Sequence, residues 1–311
     1  MDRPLAILCS GQGQQHAAMF DLVAACPEAE AVFAAAARVL GQDPRRLVRD
    51  ADAATLYADR IGQILCCTQA LAVWAALGPA QPRRVVMAGY SVGELAAWGC
   101  AGAFDVTTLF RLAEDRAASM DAAAPPDGGL VAILGLRRAT LERLLATREA
   151  FFAIVDGLDT FIVGGSGHDL DAVCNAAKAE GARRILRLKV AVPAHTPLLR
   201  KASDRFAKAL RAARPVLPPP GRYLLSGIDG ALLLDMETGI DKLARQISTT
   251  IDWMACLESC RAAGTTAALE LGPGAALAGG ATAWFPDGRV RAAQEFRSLS
   301  GLRSWVQAAT S

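Results

Sequence analysis

Only three histidines occur in the 311 residues, and aromatic side chains make up 6%. A chain this poor in imidazole has few choices of general base. Its eight cysteines, at 9, 26, 66, 67, 100, 174, 256 and 260, include no Cys-x-x-Cys pair, so no metal-ligand cluster is expected. They read as small buried hydrophobes of a reducing compartment. Charge of one sign is missing too. The formal net charge is +2, and no Lys/Arg block is long enough to hold nucleic acid. No apolar run approaches the ~18 residues of a membrane span. The stretch from Met1 to Cys9 is too short in its apolar part for a signal peptide. The expectation is a cytoplasmic protein with no nucleic-acid, membrane or metal partner.

What is present is apolar: 52% of the residues are hydrophobic, enough for a sizeable core. Residues 4–9 read as a strand running into Ser10-Gly11-Gln12-Gly13-Gln14-Gln15. Helical periodicity follows in 17–25, 28–40 and 61–77, then a strand over 83–88 and a helix from Asp105 to about Ala122. Ala124-Pro125-Pro126-Asp127-Gly128-Gly129 breaks the pattern. Beyond it the order is strand 130–134, helix 139–147, strands 150–155 and 160–164, helix 169–180 and strand 184–192. That β-α-β-β-α-β order is ferredoxin-like. The chain then returns through helices 198–213, 240–247 and 253–263 and strands 223–226 and 267–271. Strands alternating with helices predict an α/β core with a mostly parallel sheet. The predicted organisation is a large domain of residues 1–124 and 193–311, with residues 125–192 as an inserted small subdomain.

Gly89-Tyr90-Ser91-Val92-Gly93-Glu94 lies between the 83–88 strand and a run of helix formers. A G-x-S-x-G at a strand–turn–helix junction is a nucleophile elbow, with the serine at the tip and the first helix amides aimed at it. A serine hydroxyl needs a base. His168 follows Gly165-Ser166-Gly167 and reads as a surface loop residue; His16 follows the first glycine-rich loop and is conceivable near the site. His195 sits between Pro193 and Pro197, which restrict the backbone on both sides, and is the favoured base. Gly11-Gln12-Gly13 lacks the Gly-Lys-Ser/Thr and G-x-G-x-x-G patterns of phosphate loops. A backbone N–H there is instead a candidate oxyanion donor beside that of Val92.

GQGQQ, GYSVGE, Arg116 on the following helix, VPAH and ELGPG occur in order along the chain. This set resembles the malonyl-CoA:acyl-carrier-protein transacylase family over residues 5–280. The resemblance implies an α/β-hydrolase-like core with an inserted ferredoxin-like subdomain. It also implies Ser91 as nucleophile, His195 as base held by a backbone carbonyl, and the amides of Gln12 and Val92 as oxyanion donors. Arg116 would hold the free malonyl carboxylate, and Gln246 matches a family glutamine near the site. The substrate would be a coenzyme A thioester, the acceptor the prosthetic-group thiol of an acyl-carrier protein or carrier subunit, with no bound cofactor. Two positions depart from the family pattern. Tyr90 stands where the family usually has His, beside the pocket, and the loop 156–160 is shortened. GYSVGE and GQGQQ look most like the epsilon subunit of malonate decarboxylase, which loads malonyl onto the decarboxylase's own carrier subunit.

Two rival classes are weighed. Serine esterases place their histidine late in the chain, whereas here the last histidine is His195. A non-catalytic carrier-docking module would not need Ser91, His195 and Arg116 together. Lys201, Arg205, Lys208 and Arg211 recur at helical spacing and offer a basic face to an acidic carrier, or simply a solvated one.

Overall fold

A computed structural model describes residues 3–285 and 289–311. Among the described residues ten strands build two sheets. They are β1 (Leu5–Cys9), β2 (Val85–Gly89), β3 (Gly129–Leu134), β4 (Ala150–Val155), β5 (Thr160–Gly165), β6 (Arg184–Arg187), β7 (Arg222–Leu224), β8 (Ile251–Asp252), β9 (Ala268–Glu270) and β10 (Val290–Ala292). The first sheet has the order β10-β9-β1-β2-β7, and every pair in it is parallel. β1 and β2 lie at its centre and are buried along their whole length, as near-continuous apolar runs of a covered parallel sheet should be. The loops after β1 and β2 therefore leave the same end of the sheet side by side, which is where α/β sheets place their sites.

The second sheet has the order β6-β3-β5-β4-β8. β3 to β6, with the helices Arg138–Leu145 and Gly167–Ala179, form the antiparallel ferredoxin-like unit. Val131, Ile133, Phe161, Leu170 and Val173 give it a core of its own. Its other face, through Leu130, Ala132 and Ile162, joins the main core. The fifth strand, β8, comes from beyond residue 193 and pairs parallel with β4.

Several boundaries differ from the sequence reading. Residues 17–25 are successive turns, not a helix: Met19 bonds His16, Asp21 bonds Ala18 and Val23 bonds Phe20, each three residues back. The predicted strand over 184–192 stops at Arg187. β3 begins at Gly129, and past Leu188, whose N–H still reaches the Leu130 carbonyl, no partner strand remains. The helix assigned to 240–247 begins at Met236, because the Asp235 carboxylate accepts from the Thr238 N–H and caps it there. Asp105 caps the Val106–Asp121 helix as expected. Past Gly274 the sequence pattern assigns nothing; the structure adds the helices Ala276–Ala281 and Leu299–Thr310 and strand β10.

The expectation about membrane-length runs is also corrected. Asp59–Ala80 is long and apolar enough to cross a membrane, with mean hydropathy 1.5, but 83% of its apolar window is buried inside the fold. The helix Asp59–Leu77 is apolar on nearly all sides because core surrounds it.

Candidate active site

The elbow is forced by close packing. A Cβ on Gly89 would fall 2.1 Å from the backbone of Glu94, and one on Gly93 would fall 2.0 Å from the Cys9 carbonyl oxygen. Only glycine lets β2, β1 and the Val92–Ala101 helix approach this closely. Between them Ser91 takes φ 57°, ψ −125°, a strained conformation for a side-chain-bearing residue. It holds the hydroxyl out at the N-terminus of that helix.

The Ser91 hydroxyl meets His195. Nε2 of His195 lies 2.8 Å from Ser91 Oγ, and Nδ1 lies 2.6 Å from the Gln246 carbonyl oxygen. A carbonyl can only accept, so Nδ1 carries the proton and Nε2 is left to accept from the serine. The His195 backbone takes φ 62°, and its main-chain N–H donates to the Ile247 carbonyl at 2.7 Å, which fixes the base of the side chain. Burial, and then the nearby Arg116 charge, push the His195 pKa down to about 3, against the pull of the Gln246 carbonyl. The neutral ring presents its Nε2 lone pair to the Ser91 hydroxyl.

Gln246 sits at the junction of the site and is fully buried. Its side-chain Nε2 donates to the Ser91 carbonyl at 2.9 Å and to Glu94 Oε2 at 2.7 Å. Its Oε1 accepts from Arg116 Nη2 at 3.0 Å. Arg116 is 1% exposed, and its Nη1 donates to Gln63 Oε1 at 2.8 Å. Burial lowers the Arg116 pKa, opposed by the charges of Asp59 and Glu94. No carboxylate contacts it among the described residues. A guanidinium has five N–H donors, so donors remain for a ligand carboxylate. Glu114, its neighbour in sequence, instead pairs with Arg60 Nε at 2.8 Å.

The glycine-rich loop after β1 closes the other side. Gln15 Oε1 accepts from the Gly13 N–H at 2.6 Å, and Gln12 Nε2 donates to the Asp59 carbonyl at 3.2 Å. The backbone N–H groups of Gln12 and Val92 make no hydrogen bond among the described residues. They are the two predicted oxyanion donors.

Tyr90 joins none of these bonds. It packs edge-on against Trp253, with ring centroids 5.4 Å apart. Burial, and then the charge of Asp156, raise its phenol pKa. His16 is exposed and pairs with Gln294, away from Ser91. His168 lies in the first turn of the Gly167–Ala179 helix rather than in a loop. Lys201, Arg205 and Lys208 line an exposed helix face without ion pairs among the described residues, while Arg211 pairs with Glu237 at 2.7 Å. No cluster of three or more metal-ligating side chains occurs among the described residues.

Sequence reasoning did not find Gln63, Glu94 as a buried group, or Asp59. Glu94 reads as a carboxylate suited to a helix N-terminus. In the structure it is 1% exposed, accepts from the Gly227 N–H at 3.0 Å, and has its pKa raised to about 7 by burial. Gln63 lies within an apolar helical run, and a polar residue at such a position is the one signal that could have marked it.

A sharp serine elbow at the end of a parallel sheet, with a carbonyl-held histidine, is the apparatus of acyl transfer, and the chain is an acyltransferase. The acyl transferase domain family matches residues 7–278. The malonyl CoA-acyl carrier protein transacylase of Escherichia coli K12 is 32% identical over 285 residues, covering 88% of this chain and 90% of that protein. The malonyl CoA-acyl carrier protein transacylase of Coxiella burnetii superposes with a TM-score of 0.90 at 25% identity, covering 100% of this chain and 99% of that one. A malonyl-transacylase solved in complex with a type II PKS acyl-carrier protein superposes with a TM-score of 0.85 at 28% identity, covering 93% and 95%. The chain belongs to the malonyl-CoA:acyl-carrier-protein transacylase family.

Proposed function

We propose that this chain moves a malonyl group from malonyl-CoA to the thiol of a carrier protein through a malonyl ester on Ser91. The observation that carries the reading is the unbroken chain of hydrogen bonds Ser91–His195–Gln246–Arg116. It joins a nucleophile and its base to a buried cation with donors to spare. His195 Nε2 takes the Ser91 proton as Oγ attacks the thioester carbonyl. The amides of Gln12 and Val92 receive the oxyanion. As the C–S bond breaks, His195 returns the proton to the leaving coenzyme A thiolate. A carrier thiol then repeats the sequence in reverse, with His195 taking its proton and giving it back to Ser91 Oγ. Arg116 selects acyl groups that end in a carboxylate.

The acceptor is the finer part of the proposal. GYSVGE, GQGQQ and Tyr90 favour the carrier subunit of malonate decarboxylase over the carriers of fatty-acid or polyketide synthesis. We take residues 125–192 as the small subdomain on residues 1–124 and 193–311. The eight free cysteines support a cytoplasmic location.

The test is the intact mass of the protein after incubation with malonyl-CoA, followed by a panel of carriers. A malonyl adduct is expected that is absent in Ser91→Ala and not matched by acetyl-CoA. No adduct and no released coenzyme A would leave a docking module as the better reading. Faster discharge to a fatty-acid or polyketide carrier than to the decarboxylase carrier would overturn the finer assignment.

A further inference from the structure

A buried arginine without a contacting carboxylate must be oriented by neutral groups. Here two glutamine side chains do this, and each is backed by a carboxylate. Gln63 Oε1 accepts from Arg116 Nη1 at 2.8 Å while its Nε2 donates to Asp59 Oδ2 at 2.8 Å. Gln246 Oε1 accepts from Arg116 Nη2 at 3.0 Å while its Nε2 donates to Glu94 Oε2 at 2.7 Å. The two arms have the same logic. An arginine has only donors, and the carboxyl oxygen facing each amide accepts, so one orientation of each amide satisfies both neighbours. A direct ion pair would neutralise Arg116 and occupy its fork. A carboxylate placed one residue back fixes the amide and leaves the fork open.

We propose that Asp59, through Gln63, and Glu94, through Gln246, are positioning residues that hold the Arg116 fork for an acyl carboxylate and thereby set acyl-group selection. The inference rests on the malonyl reading above. The Asp59 arm tests it more cleanly, because Gln246 also touches Ser91 and His195. Asp59 carries a sign of specialisation: its Oδ1 is buried with no hydrogen-bond partner among the described residues. An orphaned acceptor lowers stability, so a purely structural role is better filled by an apolar side chain.

The experiment measures malonyl and acetyl loading of Ser91, with KM for each thioester, in the wild type, Asp59→Leu, Gln63→Leu and the double variant. Thermal melting reports folding. Asp59→Leu is expected to lower the malonyl-to-acetyl loading ratio about tenfold, chiefly through the malonyl-CoA KM, while the protein stays folded with a melting temperature lowered by the lost acceptor of Gln63 Nε2. In the Gln63→Leu background the same change should move the ratio less than about twofold, since its effect passes through that amide. The sign separates this from a bare charge effect. Removing a negative charge near Arg116 with no loss of orientation would raise the ratio. A raised or unchanged ratio in folded Asp59→Leu, or a full effect persisting without Gln63, overturns the inference. A wild type that takes up no malonyl group overturns the functional reading instead.

Discussion

Truncating Arg116 to alanine tests the contact proposed to distinguish malonyl from acetyl. The guanidinium is 1% exposed, so a bound carboxylate meets it with little water between them. Removing one partner of such a desolvated charge pair typically costs about 2–5 kcal/mol. In kcat/KM for malonyl-CoA this corresponds to a loss of about 30- to 5,000-fold. Two further consequences follow from the site. Gln63 Oε1 and Gln246 Oε1 each lose a donor, a cost that falls on the protein whichever acyl group is present. His195 loses a positive neighbour that depresses its pKa, so its basicity rises. Acetyl transfer should therefore hold while malonyl transfer falls. The assay is the rate of coenzyme A release and adduct formation with each thioester, with melting temperature as a check on folding. Equal loss for both acyl groups would refute the carboxylate clamp and make Arg116 a structural cation.

Two other outcomes are expected. Burial raises the Glu94 pKa from near 4.5 to about 7, so between those values the folded state holds a proton that the unfolded state has released. Stability from this group is therefore lost as pH rises through that window, and Glu94→Gln should gain on the wild type between pH 4.5 and 7; a difference in melting temperature that does not grow with pH would count against it. Arg205→Glu should raise KM for the carrier protein and leave that for malonyl-CoA unchanged, because the exposed helix face of Lys201, Arg205 and Lys208 lacks ion pairs among the described residues. An unaltered carrier KM would make it an ordinary solvated face.

Elements whose signal is local were legible. β1 and β2 announce themselves as short apolar runs, and Asp105 marks a helix start by a cap that acts within four residues. Elements that depend on a distant partner were not. The strand that starts at Arg184 stops where β3 begins, and nothing in residues 184–192 records that. β8 is two residues long and exists because β4 lies beside it. The run 17–25 has helical spacing of apolar residues, yet its bonds close three residues back, and Pro27 follows.

The same distinction governs the site. Ser91 is legible because the elbow is written in contiguous residues, with glycines demanded by contacts of 2.1 and 2.0 Å. Gln63, Glu94 and Asp59 are individually unremarkable, and their meaning is relational. Each matters only because Arg116 lies 53 positions beyond Gln63 and 130 before Gln246. A buried cation cannot be satisfied by its own helix, so its partners must be drawn from other segments. Polar residues inside otherwise apolar stretches are where those segments show it. Gln63 is such a residue, and so is Gln69, six residues further along the same helix. Both its amide atoms are buried without partners among the described residues. Gln63 is bonded on both sides and Gln69 on neither, so sequence position alone does not distinguish a cradle from an orphan; the carboxylate on one side and the arginine on the other do.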